Sequence, residues 1–362
     1  MRHQRGLTMV ELMIAMVLSS IVVYAGISMF LASRGTASTT AAVGAVTDSG
    51  RVALDFIADT VRGGGALQCN STNGNSLVPL KNNINSGGDP LLLNYTNAFD
   101  GFEAAGTGVG GALSIGSGAV TADGAANDWS TSGGGALDAL LIGRVVKGSD
   151  ILAVRESVPE SAPAYTTVNY NPGGTSLTVA NVQTLQPQQY AVITNCAFAT
   201  VFQINTVDSV TSTITTNGPL DTTGDLGQTY DVNSMINALD MTVYFIAPGR
   251  DTDSALYSYD EWTGQFQQLV PDVENMQVLY GIATAAQPNQ VTSYVTADLV
   301  PNFDQVISVQ VALLVASPPG MRAVAPAAQP PFNLLNTSVT APADGRLRRV
   351  FVTTIAVENA SG

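Results

Sequence analysis

One uncharged, mostly apolar stretch near the N-terminus constrains this chain more than any other feature. It runs from Leu12 to Ser33, and its 22 residues would form a helix of roughly 33 Å, enough to cross a bilayer. Arg2 and Arg5 precede it, so the distribution of positive charge predicts a cytoplasmic N-terminus with the bulk of the chain outside. No other stretch of the sequence is comparably long without charges or turn residues, which predicts a single membrane span.

Glu11 separates this segment from an ordinary anchor. A secretory signal peptide fits poorly, because the apolar run is too long and no small-residue cleavage site follows it cleanly. A plain anchor leaves Glu11 unexplained, since this acid stands at the start of the run and would cost about 2–3 kcal/mol at mid-bilayer. Glu11 is therefore predicted to be functional and to have a partner.

The residues around Glu11 resemble the class III signal of type IV prepilins. The resemblance is carried by Arg5-Gly6-Leu7-Thr8-Met9-Val10-Glu11-Leu12 and the apolar run after it. In that family a basic leader is cut after the glycine, the new N-terminal residue is methylated, and an acid five residues into the mature chain guides assembly. The resemblance thus implies a leader of residues 1–6, cleavage between Gly6 and Leu7, methylation of Leu7 and an assembly role for Glu11. The N-terminal amine of a neighbouring subunit would neutralise Glu11 in an apolar filament core.

After the filament-core or transmembrane helix of residues 7–33, residues 34–65 predict an amphipathic helix. Apolar and small residues recur there at spacings of three and four, namely Val46, Gly50, Leu54, Ile57 and Val61. Three glycines, 63–65, end the pattern. We expect the apolar stripe to pack on the globular domain.

Residues 66–362 predict a β-rich periplasmic domain. Odd positions from Ile307 to Val315 are all apolar, the period of a strand with one buried face. Antiparallel sheets on one long helix make an α+β fold. Residues 101–136 hold 11 of the 35 glycines and are predicted to be a long, mobile, low-complexity insertion. Further strands are predicted at 151–155, 166–170, 176–179, 190–194, 201–205, 241–246, 255–259, 273–280 and 350–357.

Several of these segments resemble the PilW-type minor pilins, which implies a type IV pilin-like fold. They are Ser149–Arg155, Thr194–Cys196, Leu269–Gly281, Val309–Val315 and Arg348–Thr354.

The two cysteines, Cys69 and Cys196, would face an oxidising periplasm, where disulfides persist. Cys69 follows the helix and Cys196 is predicted to lie in a strand. A bridge between them would close a long loop and stabilise by about 4–5 kcal/mol in the chain-entropy model. We predict this disulfide; two free buried cysteines are the alternative.

Two acidic clusters and one basic cluster remain. The acids of 221–225 and 251–253 are interpreted as turn-forming, with calcium ligation as the alternative. Arg346, Arg348 and Arg349 are predicted to cap a strand or to meet an acidic partner.

Composition argues against nucleic-acid binding and catalysis. The formal charge of −14, from 28 acids and 14 bases, disfavours contacts with phosphate. His3 is the single histidine of the sequence and lies in the leader, which removes Ser–His and Cys–His nucleophile schemes from the processed chain. One histidine and two cysteines also exclude common zinc sites. We predict no enzyme activity, cofactor or metal.

The leading hypothesis is a minor pilin that primes type IV pilus assembly at the tip and supports twitching motility and adhesion. The resemblance implies an inner-membrane location before assembly. It also implies as partners other minor pilins, the major pilin, prepilin peptidase, the inner-membrane assembly platform and, as a further candidate, a large tip adhesin. A J-type pseudopilin of type II secretion is the nearest alternative. A membrane-anchored adhesive or glycan-binding protein is the alternative of another class.

Overall fold

The structure is a computed structural model of the 362-residue chain. It describes residues 8–67, 70–71, 78–84, 94–132, 137–158, 162–221, 223–284, 286–321 and 329–357. Predictions that concern Gly6, Leu7 and Cys69 lie outside the described residues.

A single helix, α1, runs from Met9 to Gly63 and comprises 55 residues. It continues through both predicted segments because no proline interrupts it. Its buried residues all lie in the second half, and they include the predicted stripe positions Val46, Gly50, Ile57 and Val61. The apolar stripe therefore packs on the globular domain, as its spacing predicted.

The rest of the described chain forms strands and connecting loops, so the predicted α+β class is confirmed. In chain order the strands are β1 Ala66–Leu67, β2 Asn70–Ser71, β3 Leu80–Asn82, β4 Phe99–Ala104, β5 Ala112–Ser114, β6 Trp129–Ser130, β7 Ile151–Ser157, β8 Ala164–Thr166, β9 Ser176–Ala180, β10 Tyr190–Thr194, β11 Ala199–Gln203, β12 Val207–Asp208, β13 Thr213–Thr215, β14 Met235–Ala247, β15 Ala255–Asp260, β16 Gln265–Pro271, β17 Val273–Ile282, β18 Ser293–Val295, β19 Val306–Ala316, β20 Phe332–Leu334, β21 Thr337–Thr340 and β22 Arg348–Ala356.

Two sheets organise the domain. The larger one follows the order β12-β13-β9-β8-β14-β10-β11-β3, with β15, β16, β4, β6 and β7 attached at its sides. The second has the order β18-β17-β19-β22. Pairing is antiparallel except where β3 meets β11 and where β5 meets β21. The 13-residue β14 is the centre of the large sheet and bonds to β7, β8, β10 and β15.

The core that matters for α1 lies between the helix and the two sheets. It contains Ile57 and Val61 from the helix, Leu152 from β7, Val278 from β17 and Val311 from β19. Two further apolar clusters lie within the large sheet and away from the helix.

Residues 101–132, the described part of the predicted insertion 101–136, differ from the prediction of a mobile segment, because several parts of them form strands. β4 ends within this segment, and β5 pairs in parallel with β21, with Leu113 opposite Val339. Leu113 also packs on a small core formed with Ala312 and Leu314 of β19. The glycines of residues 101–132 therefore alternate with short ordered elements.

Gly50 is a point of close approach between the helix and the second sheet. A side-chain carbon at this position would overlap the ring of Phe351 on β22. Gly44, on the same helix, has open space where its side chain would be. Only a glycine at position 50 therefore lets the helix lie directly on β22.

We expect Gly50→Leu to destabilise the protein by about 1–3 kcal/mol, because the new side chain would force α1 away from Phe351. Gly44→Leu is the matched control, since both substitutions change helix propensity equally. Denaturant unfolding of the detergent-solubilised full-length protein would measure both changes. Equal unfolding free energies for the two variants would contradict this packing.

Candidate functional site

The first half of α1 is an apolar helix that no other described part of the chain covers. Every residue from Thr8 to Arg34 is exposed, and the most apolar 18 residues of the helix have a mean hydropathy of 2.2 with none of them buried. Such a helix is long and apolar enough to cross a membrane. Because apolar surface on this scale is unfavourable in water, this half requires lipid or the helices of other subunits around it.

Glu11 lies at the start of this helix and closes a capping box with Thr8. The Thr8 backbone N–H and hydroxyl both donate to Glu11 Oε2 at 3.0 Å. The Glu11 N–H in turn donates to the Thr8 hydroxyl at 3.3 Å. This exchange satisfies donors that a helix N-terminus otherwise leaves free, and it holds the carboxylate at the positive end of the helix dipole.

The capping box leaves one oxygen of the carboxylate available. Both Thr8 donors use Oε2, and no described residue donates to Oε1 of Glu11. Chemically, an ionised carboxylate with one open oxygen is suited to an ammonium group. The geometry of Glu11 is thus compatible with a cationic partner from another chain.

At its other end, α1 is tied to the large sheet. The hydroxyls of Thr60 and Tyr244 on β14 lie 2.7 Å apart, and the Tyr244 hydroxyl donates to the Phe56 carbonyl at 3.2 Å. Just past the helix, the position of a Gly64 side-chain carbon would be 2.6 Å from the Phe99 ring on β4. These contacts fix where the exposed half of the helix leaves the domain.

Cys196 lies in the turn between β10 and β11, and not in a strand as predicted. Its backbone has φ of 62°, and its N–H donates to the Thr194 hydroxyl at 3.1 Å. A turn follows because the Asn195 side chain accepts from the N–H groups of Ala197 and Phe198. Since Cys69 lies outside the described residues, the pairing of the two cysteines stays a prediction.

The aspartates of the 221–225 cluster accept hydrogen bonds within turns, whereas Asp253 of the 251–253 cluster pairs with Arg346. Asp221 accepts from the Gly224 N–H, and Asp225 accepts from the N–H groups of Gly173 and Gly227, all at 2.9 Å. Among the described residues no group of three acidic, histidine or cysteine side chains could hold a metal ion. The hydrogen bonds of Asp221 and Asp225 are those expected of turn-forming aspartates, the preferred interpretation of 221–225.

Two of the three clustered arginines meet acidic partners within the chain. Arg348 forms a two-point ion pair with Glu274 at 2.7 and 2.9 Å. Arg346 contacts Asp253 and Asp272 at 2.7 Å each. Both arginines are buried, so they join β22 and the chain before it to β17 and are not open to an outside partner.

Arg349 differs from its two neighbours. It is exposed, and its guanidinium lies 5.8 Å from the centre of the Phe351 ring. It forms no ion pair with any residue that the structure describes.

Sequence analysis missed a pair of buried carboxyl groups between the two sheets. Glu103 is the next-to-last residue of β4 and Asp150 precedes β7, and both are almost fully buried. Asp150 accepts from the N–H groups of Ala104 and Val278 at 3.0 and 2.8 Å, whereas Glu103 accepts only from the Thr107 hydroxyl at 3.2 Å. No local pattern marks these acids, since they lie in different parts of the chain.

Burial raises the pKa of both carboxyl groups, and each carboxyl group also influences the pKa of the other. The two backbone donors favour the ionised form of Asp150. We therefore place the proton that the pair shares on Glu103, whose neighbour Asp298 raises its pKa further.

Comparisons with known proteins give two family matches. The model described as Type IV Pilus-assembly protein W matches residues 243–359, and the model described as Prokaryotic N-terminal methylation motif matches residues 1–23. A comparison with curated proteins gave no match. Among solved structures, the type IV-like pilin TTHA1219 from Thermus thermophilus is similar, with 16% identity over 49% of this chain and 87% of that chain and a TM-score of 0.20.

The pair of Glu103 and Asp150 predicts a particular dependence of stability on pH. The pKa of Glu103 is raised in the folded state. The stabilisation that protonated Glu103 gives to the fold is therefore complete below its ordinary pKa of 4.5 and is lost as the pH rises through the folded-state pKa. We expect the unfolding free energy of Glu103→Gln to match that of wild type near pH 4. Above pH 4 it should fall less steeply with pH than that of wild type. The difference in slope should be about 1.4 kcal/mol per pH unit, the value for one proton. Unfolding free energies over a pH series would measure it; parallel curves would contradict the protonated pair.

Proposed function

We propose that this chain helps to prime pilus assembly at the filament tip, on the premise that it is a type IV pilus minor pilin of the PilW family, as both family matches support. One observation carries the proposal. A single helix has a fully exposed apolar first half and a second half buried on a β domain. A subunit of this shape can transfer its apolar half from lipid to the helices of its neighbours without refolding the domain.

Under this proposal, prepilin peptidase removes residues 1–6 after Gly6 and the new N-terminal Leu7 is methylated. Glu11 then guides assembly. Its open Oε1 is suited to the N-terminal amine of an adjacent subunit, while Thr8 occupies Oε2. The cytoplasmic N-terminus, the inner-membrane location, the periplasmic domain and the tip position belong to the same proposal.

The proposed partners are other minor pilins, the major pilin, the inner-membrane assembly platform and a large tip adhesin. The matched family models describe pilus assembly and a methylation motif, so the proposal assigns the chain no enzyme activity. We expect a deletion strain to lose pili and twitching motility. Loss of exoprotein secretion with intact pili would favour a J-type pseudopilin instead.

We also propose that Cys69 and Cys196 form a disulfide that joins the end of α1 to the turn after β10. We expect no free thiol in the unreduced, denatured protein and two thiols after reduction. Reaction with a maleimide reagent followed by mass measurement would count them. Two labelled cysteines before reduction would contradict the bridge.

The assembly role of Glu11 predicts that Glu11→Ala is still cleaved but enters filaments about tenfold less, a change equivalent to about 1.4 kcal/mol. The reason is that an incoming subunit then has no carboxylate for the neighbouring amine. Immunoblots of sheared filaments and N-terminal mass analysis of membrane extracts would measure incorporation and processing.

Two control variants separate the steps of this pathway. Thr8→Val removes the hydroxyl of the capping box but keeps the acid, so incorporation should remain near wild type. Gly6→Trp should leave the uncut precursor. Normal cleavage of Gly6→Trp, or unchanged incorporation of Glu11→Ala, would count against the proposed function.

A further inference from the structure

The outer edge of β22 is an unusual feature for a soluble domain. β22 is the last strand of its sheet, has nine residues, and pairs with β19 on its inner side. Within the part of the chain that the structure describes, no strand pairs with its outer side. A row of backbone donors and acceptors is therefore available along this edge.

The hydrogen-bond pattern identifies the residues that supply this row. Ser317 N–H donates to the Leu347 carbonyl, and Val357 N–H donates to the Ile307 carbonyl, at either end of the pairing with β19. In an antiparallel pair, residues alternate between bonding to the partner and pointing away from it. The backbone groups of residues 347 and 357 point inward, toward β19. The N–H and C=O groups of the alternate residues Val350, Val352, Thr354 and Ala356 therefore point outward.

The edge also lacks the features that protect free edges. Strands at sheet edges usually carry charges, proline or bulges, which prevent pairing with another chain. Residues 350–356 read Val-Phe-Val-Thr-Thr-Ile-Ala, with no charge, proline or glycine, and the Val352 side chain is 53% exposed. Such a segment favours strand pairing wherever it is uncovered.

The other sheet edges in the described chain are protected. Apart from β22 and β16, the strands at these edges have only two or three residues. β16 is longer, but its pairing with β15 is interrupted by a bulge and it ends at Pro271. The unprotected edge is thus confined to β22, as expected of an edge that another chain covers.

We propose that the outer edge of β22 accepts an extended strand from a neighbouring, non-identical subunit of the filament. The inference rests on the proposed function, and the position of the strand supports it. Phe351 of β22 lies against Gly50 in the packed half of α1, so an added strand would lie beside this part of the helix. The exposed apolar half that other subunits must cover belongs to the same helix.

The expected occupant has a defined chemistry. It is an extended, uncharged segment rich in β-branched residues, with an acidic residue near Arg349, the exposed arginine at the start of this edge. A second copy of this chain is the less suitable occupant. A filament whose helices all point one way is polar, and its repeating contacts join two different surfaces, whereas two identical edges would require a twofold axis.

Val352→Pro tests the backbone contact. The Val352 N–H faces outward, so proline removes a donor from the edge and no bond within the subunit. In a host that assembles type IV pili, we expect this full-length variant to be at least about tenfold depleted from sheared filaments. Val352→Thr, which keeps the N–H, should be incorporated as wild type. Thermal unfolding of the detergent-solubilised proteins checks that both variants fold.

The possible results separate this proposal from the proposed function. If wild type and Val352→Pro enter filaments equally, the edge proposal is wrong while the proposed function stands. If wild type is absent from filaments, the proposed function is wrong. If Val352→Pro does not fold, the cross-linking measurement below decides the edge proposal.

A photo-reactive amino acid at Thr354, whose side chain is exposed on the same edge, provides that measurement in the full-length protein. We expect peptide mapping to show a cross-link to an extended segment of another subunit that carries the N-terminal methylation motif. Gln267 on β16 is the matched control position. Cross-links only to a second copy of this chain, or equal yields at both positions, would overturn the proposal.

Discussion

The structure depends on one helix that has to satisfy two environments at once. In its second half, α1 buries a narrow apolar stripe against both sheets. Its opposite face carries charged side chains that are exposed to solvent. In its first half no face is buried, so the same backbone continues into a region that is stable only among apolar neighbours. Thr8 and Glu11 complete the arrangement, because a helix that begins in an apolar setting cannot leave its first N–H groups without acceptors.

Much of this organisation could be predicted from local sequence. The spacing of Val46, Gly50, Ile57 and Val61 predicted the buried face of α1, and alternation predicted β19. The pattern Thr8-x-x-Glu11 is itself a capping-box signature, so the role of Thr8 can also be predicted from the sequence.

Other features could not be predicted, because they depend on contacts between distant segments. Composition predicted a mobile insertion at 101–136, yet β5 is ordered by pairing with β21, more than two hundred residues later in the sequence. The Glu103–Asp150 pair arises in the same way, since β4 and the chain before β7 meet only in the folded sheet. The clustering of Arg346 and Arg348 was visible, but their partners on β17 and its flanks come from another part of the chain, so the sequence left open an external partner.

These buried arginines explain how an edge strand can be both open and rigid. A strand at the end of a sheet is bonded on one side only, and it tends to fray unless side chains hold it. Arg348 reaches past β19 and forms two hydrogen bonds with Glu274 on β17. Arg346 binds Asp272, which directly precedes β17. Breaking a buried pair of this kind costs several kcal/mol, so the start of β22 is fixed in register, and Phe351 fixes its middle against Gly50. An edge held in this way loses little conformational entropy when another strand binds. The internal ion pairs and the helix contact thus prepare the outer edge of β22 for a partner while the subunit is still alone.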